Sequence, residues 1–301
     1  MAGGFKLQWI VEEKDEGKVL KNFLVGQEIS RAALTDIKFK GGGMFVNGDS
    51  VTVRHLLKTG DRLEVHFPPE KPSMGLTGED LPLNVIYDDP YLLVVNKPAG
   101  MNTIPSREHP IGSLANGLIG YYQQVGIEAT THIITRLDRN TSGIVLIAKH
   151  RHVHHLMSKQ QQMGHLQRVY EALVQGHIQE LNGYIEVPIA RKDTSIIERE
   201  VHPGGQYAYT SYRLIKLFDS FSHIELRLKT GRTHQIRVHM SYINHPLLGD
   251  TLYGGTAGKI RRQALHCREV QFIHPFTKQQ MKFSVPLPGD IQDVLNSGRP
   301  I

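Results

Sequence analysis

Two runs decide the fold: AYTSYRLIKLF at residues 208–218 and SHIELRLKT at residues 222–230. Both read as strands, and the second follows the first across a short turn with no helix between them. LNVIYDDPYLLVVNKP, GIVLIAKH, RVYEALV, GYIEVPIA and MKFSVPLP have the same character. Strands in direct succession argue for an α+β chain with a largely antiparallel sheet and against a doubly wound parallel one. Helices are expected at residues 111–122, 152–163 and 233–243. In the last, Thr233 is the expected cap, Ile236, Met240 and Ile243 face inward, and Asn244-His245-Pro246 stops the helix.

Working outward, FPPEKPSMGLTGEDLP at residues 67–82 breaks the periodic pattern on both sides with proline, glycine and charge. It divides the chain into an N-terminal unit at 1–68, a linker at 69–82 and a larger unit at 83–301. In the smaller unit Val19, Leu20, Phe23 and Leu24 form a helical stripe, and Ser30 is placed to cap a second helix through Arg31, Ala33, Leu34 and Ile37. Gly41-Gly42-Gly43 ends that helix. Asn47-Gly48 then signals a type I′ hairpin, followed by the alternation of Leu63, Val65 and Phe67.

With 301 residues and 40% hydrophobic content, the chain has material for about two domains with real cores. No apolar run is long enough to span a membrane, the N-terminus lacks a signal-peptide layout, and Cys267 is the lone cysteine. A cytoplasmic protein is expected, with no disulfide, no cysteine metal cage and no membrane partner.

The net charge is +6, and residues 1–70 hold ten Lys/Arg against ten Asp/Glu, so the excess lies in the larger unit. Residues 140–170 and 226–249 contain no acid at all, while the first span holds Lys149, Arg151, Lys159 and Arg168 and the second holds Arg227, Lys229, Arg232 and Arg237. Two such spans flanking one site point to a phosphate-lined groove. His150 and His154 have helical spacing, but no H-E-x-x-H or cysteine set accompanies them, so no metal site is read.

The chemistry centres on THIITRLDRNTSGIVLIAKH, residues 131–150, where Asp138 stands between Arg136 and Arg139. Opposite charge nearby favours the ionised form of a carboxylate, which suits a nucleophile or base. A glycosidase needs a second carboxyl group, and two-metal nucleases need several acids. What fits is metal-free chemistry in which the leaving group needs little protonation, as when uracil leaves a ribose. Thr141-Ser142-Gly143 allows a tight turn into the next strand, with Gly143 at an unusual backbone angle.

ITRLDRNTSGIVLIAKH, RVYEALVQG, LKTGRTHQIRVHMSYINHPLLGDTLYG and VIYDDPYLLVVNKPAGM resemble, in order and spacing, the motifs of the RluA/RluD-type RNA pseudouridine synthases over residues 83–290. The resemblance implies an isomerase that flips a uridine out of structured RNA and needs neither cofactor nor metal. Asp138 matches the essential aspartate, which attacks C1′ or removes the 2′ hydrogen. Tyr170 matches a tyrosine that stacks on uracil, Arg237 the basic partner of the aspartate, and Leu265 an apolar residue at the pocket floor. Arg136 matches an arginine that helps extrude the nucleotide, and Arg139 is read as a further substrate contact. Thr135, Asn140 and Arg168 depart from the residues common at their positions, Arg168 replacing a frequent lysine.

EISRAALTDIKFKGGGMFVNGDSV and LKTGDRLEV resemble the α-L RNA-binding module of a small-subunit ribosomal protein, which implies RNA contacts at Ser30, Arg31, Lys38 and Lys40. The implied partner is RNA, ribosomal first and transfer RNA second. Two rivals stand beside this reading: a non-catalytic RNA-binding or ribosome-assembly protein that keeps the fold, and a glycosylase that releases free uracil.

Overall fold

The computed structural model describes residues 4–70, 73 and 75–301. The N-terminal unit is built from β1 (Lys6–Ile10), α1 (Leu20–Gly26), α2 (Arg31–Phe39), β2 (Gly43–Val46), β3 (Asp49–Ser50) and β4 (Arg62–His66), its strands ordered β1-β4-β2-β3. Ser30 caps α2 by accepting from the Ala33 amide at 3.1 Å. Asn47 and Gly48 both take positive φ, 53° and 94°, as a two-residue primed turn requires, and Val46 pairs Asp49 across it. Leu20, Leu24, Ile37, Leu63 and Val65 fill a separate core. The strand β1 carries no strong signal in the sequence.

The larger unit continues with β5 (Val85–Asp88), β6 (Leu92–Lys97), α3 (Leu114–Gln124), β7 (His132–Ile133), β8 (Ser142–Ala148), α4 (Arg151–Gln162), β9 (Gln167–Gln175) and β10 (Asn182–Glu186). After these come β11 (Ile189–Arg191), β12 (Arg199–Val201), β13 (Tyr209–Phe218), β14 (Phe221–Leu228), α5 (Gln235–Tyr242), β15 (Leu265–Ile273), β16 (Gln280–Ser284) and α6 (Gly289–Ser297). The main sheet runs β10-β13-β14-β9-β15-β8-β6-β5, with β16 on β15 and β7 on β8. Only β15 and β8 pair parallel among the described residues, so the α+β, antiparallel expectation holds.

That parallel pair positions the site. β15 sits between β9, which carries Tyr170, and β8, which follows the Asp138 loop; Cys267 pairs Tyr170 on one side and Gly143 on the other. Gly143 has φ +117°, and a Cβ there would lie 2.2 Å from the Cys267 carbonyl, so only glycine lets the two backbones approach.

The helices differ from expectation at their ends. Ser113 and Asn116 form a capping box, which starts α3 three residues later than the apolar pattern begins. Thr233 does not cap α5. His234 occupies the N-cap in a left-handed conformation, φ 58°, and the helix start is held by Gln235, whose Oε1 accepts from the Arg232 amide at 2.9 Å and the Thr230 hydroxyl at 2.8 Å. Ile236 and Met240 are buried as expected.

The histidines of the acid-free span serve packing. His150 stacks on Phe5 at 4.0 Å and His152 on Phe67 at 5.3 Å, while Lys159 pairs with Glu28 at 2.6 Å and Arg151 with Asp36 at 3.4 Å. Together these join α4 to the N-terminal unit.

Candidate active site

The loop between β7 and β8 is fixed by alternation. Leu137 points inward, and Thr103 holds both of its backbone polar groups, donating to its carbonyl at 2.6 Å and accepting from its amide at 3.2 Å. Asp138 therefore points the other way, into a cleft with about 410 Å³ of open space. On the far side of Asp138 the chain is tied again: buried Lys97 donates to the Arg139 carbonyl at 3.2 Å and to the Pro98 and Met101 carbonyls. Burial pulls the Lys97 ammonium down to about 7, against the pull of Asp138.

Arg237 reaches this carboxylate from α5. Its Nη1 lies 3.2 Å from Asp138 Oδ2, while Nε and Nη2 grip Asp250 in a two-pronged pair at 2.7 and 2.8 Å. The guanidinium also lies over the Tyr253 ring, 4.8 Å from its centroid. Burial opposes the Arg237 charge, but the bonds and charges of Asp250 and Asp138 outweigh it and hold the group above its ordinary range. His234 Nε2 stands 3.8 Å from the same Asp138 oxygen, and its Nδ1 pairs with the Tyr253 hydroxyl at 2.8 Å. Burial lowers its pKa despite Asp138, so it is a weakly basic neighbour.

The floor and walls complete the cleft. Tyr170 and Leu265, 3% and 4% exposed, line it beside Asp138 and Arg237. Burial raises the Tyr170 hydroxyl pKa and keeps it protonated. Arg136 and Arg168 line both this inner cleft and a larger outer one, where residues 102–106 and 231–233 form the opposite wall. A preorganised carboxylate and a buried cation, above an apolar floor with one aromatic ring, can hold a flat base while bonds at an adjacent carbon are made and broken.

Of the residues singled out from sequence, Asp138, Tyr170, Arg237, Leu265 and Arg136 meet here. Arg139 lines the outer cleft, but its guanidinium is engaged with the Gly100 carbonyl at 3.1 Å and His109 at 2.7 Å. Arg31, Lys38 and Lys40 lie on or beside α2 and line neither part of the cleft; Lys40 pairs with Asp36 at 2.8 Å. Sequence reasoning missed Asp250, His234 and Tyr253. Asp250 sits within the same HPLLGDTLYG run as Tyr253, and a lone acid closing an otherwise acid-free span was the available signal.

Among the described residues no group of His, Cys, Asp or Glu is arranged to hold a metal, and no helix is long and apolar enough to cross a membrane.

Residues 91–242 match the family described as RNA pseudouridylate synthase. An uncharacterised RNA pseudouridine synthase of Bacillus subtilis, YjbO, is 51% identical over 89% of this chain and 94% of its own length. The ribosomal large subunit pseudouridine synthase D of Salmonella typhimurium is 36% identical over 73% of this chain and 72% of its own. Human RNA pseudouridylate synthase domain containing 1 shares the fold, with a TM-score of 0.59 at 23% identity over 74% of this chain and 91% of its own. The chain belongs to the RNA pseudouridylate synthase family. It is an isomerase that acts on uridine in RNA.

Proposed function

We propose that this chain isomerises uridine in structured large-subunit ribosomal RNA, with Asp138 as the reacting carboxylate, Arg237 as its cation and Tyr170 as the stacking surface for the flipped base. The single observation that carries the assignment is the Arg237–Asp138 contact at 3.2 Å, braced from behind by Asp250. It keeps a carboxylate charged and aimed in a cleft that a flipped base would empty of water. Arg136, exposed beside Asp138, occupies the space the base vacates in the duplex. Leu265 bounds the uracil at the floor, and Arg139 serves the RNA through its loop. The ribosomal substrate is favoured by the name of the Salmonella relative.

The N-terminal unit at residues 1–68 grips the same RNA through Arg31, Lys38 and Lys40, and residues 83–301 carry the reaction. Neither cofactor nor metal has a task in this scheme, and the enzyme works in the cytoplasm. The test is to map pseudouridines at nucleotide resolution in RNA from cells with and without the protein. Loss of one or more sites in large-subunit ribosomal RNA is expected. Loss confined to transfer RNA would overturn the ribosomal assignment, and free uracil from RNA treated with purified protein would replace isomerisation by base release.

A further inference from the structure

The proposed reaction leaves one cation of the cleft without a task. Arg168 lies on β9 two residues before Tyr170, so both side chains project from the same face of the strand. It is 8% exposed and lines the inner cleft with Tyr170 and Leu265 as well as the outer one with Arg136. Among the described residues no carboxylate pairs with its guanidinium, and its buried Nε finds no acceptor. The other buried arginines are paired: Arg237 grips Asp250, and Arg262 grips Asp290 at 2.6 and 2.8 Å. Arginine is rarely buried without a partner, so an unpaired one facing a cleft marks a place where the partner arrives with the ligand. Gly231 keeps that place open, since a Cβ there would come within 3.0 Å of Arg168 Nη2. The charge is felt at the floor, where it opposes the upward push of burial on the Tyr170 hydroxyl and the Cys267 thiol.

The reaction creates a matching charge. As N1–C1′ breaks, its electron pair stays on the base and spreads onto the uracil carbonyl oxygens. Asp138 is itself anionic in this scheme, Arg237 is committed to two carboxylates, and Arg136 is exposed to solvent. We propose that Arg168 is a further catalytic residue, donating to a carbonyl oxygen of the flipped uracil and taking up the negative charge of the departing base. Asp138 meets the electron deficit at C1′, by bonding to it or by removing the 2′ hydrogen. After the base turns, the pair at C5 bonds to C1′, and the C5 proton leaves to end on N1, so substrate and product contain the same atoms. The inference rests on the proposed uridine isomerisation.

The experiment is single-turnover cleavage of N1–C1′ in RNA carrying uridine or 5-fluorouridine at the target, for the parent, Arg168→Gln and Arg168→Lys, with RNA affinity measured across salt. Fluorine stabilises the base anion and lessens its need for a cation. Arg168→Gln is expected to lose on the order of 10²–10³-fold on uridine and several-fold less on 5-fluorouridine, with RNA affinity retained. Arg168→Lys, which keeps the charge, recovers most of the loss. Equal defects on both bases overturn the proposal. So does a loss confined to affinity with a shallower salt slope, which assigns Arg168 to a phosphate. Should Arg168→Gln fail to fold, Arg168→Lys carries the same comparison, its smaller defect again having to shrink on 5-fluorouridine. A parent that leaves uridine unchanged sinks the function itself, independently of Arg168.

Discussion

Arg237 holds Asp138 with one corner of its guanidinium, Nη1 to Oδ2 at 3.2 Å, while the other two nitrogens are locked on Asp250. A planar fork can bind two carboxylates in this way; an ammonium on a flexible stem cannot hold both in fixed directions. Arg237→Lys is therefore expected to lose about 10²–10³-fold in saturated turnover with little change in RNA affinity. Single-turnover rate against RNA concentration reads both quantities, and a change in affinity alone would make Arg237 a phosphate contact.

Asp250 acts through Arg237. Its side chain is almost wholly buried, and Asp250→Asn leaves the shape while removing the charge that orients the fork. Breaking a buried pair costs about 3–5 kcal/mol, and a small misplacement of the Asp138 partner costs up to about 10²-fold in rate. Urea unfolding and turnover should both fall. Unchanged turnover in a destabilised protein would limit Asp250 to a structural role.

How much of this was legible in the sequence follows from where the signals lie. The strand succession and the four ordered motif blocks are local, and they led to the antiparallel sheet and to Asp138, Tyr170 and Arg237. Asp250 was not legible, because its role depends on a turn after α5 folding back beneath Arg237. Thr233 was the wrong cap because Gln235, one residue inside the helix, satisfies the Arg232 amide from within. The strand β1 lacked a signal because its alternation is weak: Leu7 is buried while Trp9 is only partly covered. The unpaired state of Arg168 is a property of three-dimensional surroundings that spacing alone cannot carry.

The seam between the two units sets an acid limit. Burial pulls His150 and His152 down from 6.5 to about 4, so between these values the folded chain binds fewer protons than the unfolded one. Their contribution is complete above pH 6.5 and lost as pH falls toward 4. The urea midpoint should drop between about pH 7 and about pH 4.5, and His152→Leu should flatten that drop. A variant with the parent's full slope would remove His152 from the linkage.

The N-terminal contacts are expected to act on binding alone. Alanine at Arg31, Lys38 and Lys40 together should weaken RNA affinity and lower the salt slope by no more than about 2–3, leaving the saturated rate intact. Isothermal titration across salt with matched single-turnover assays checks this. An unchanged affinity would make residues 1–68 a structural cap.

Asp138 carries the central claim, and Asp138→Asn tests it most directly because the change keeps size and removes only the charge. The measurement is pseudouridine formed at saturating RNA in a single turnover, with RNA affinity determined alongside. The expected result is near-parental binding with product formation down on the order of 10⁴-fold or more. Comparable turnover by the purified variant would contradict the assignment of Asp138 as the reacting group.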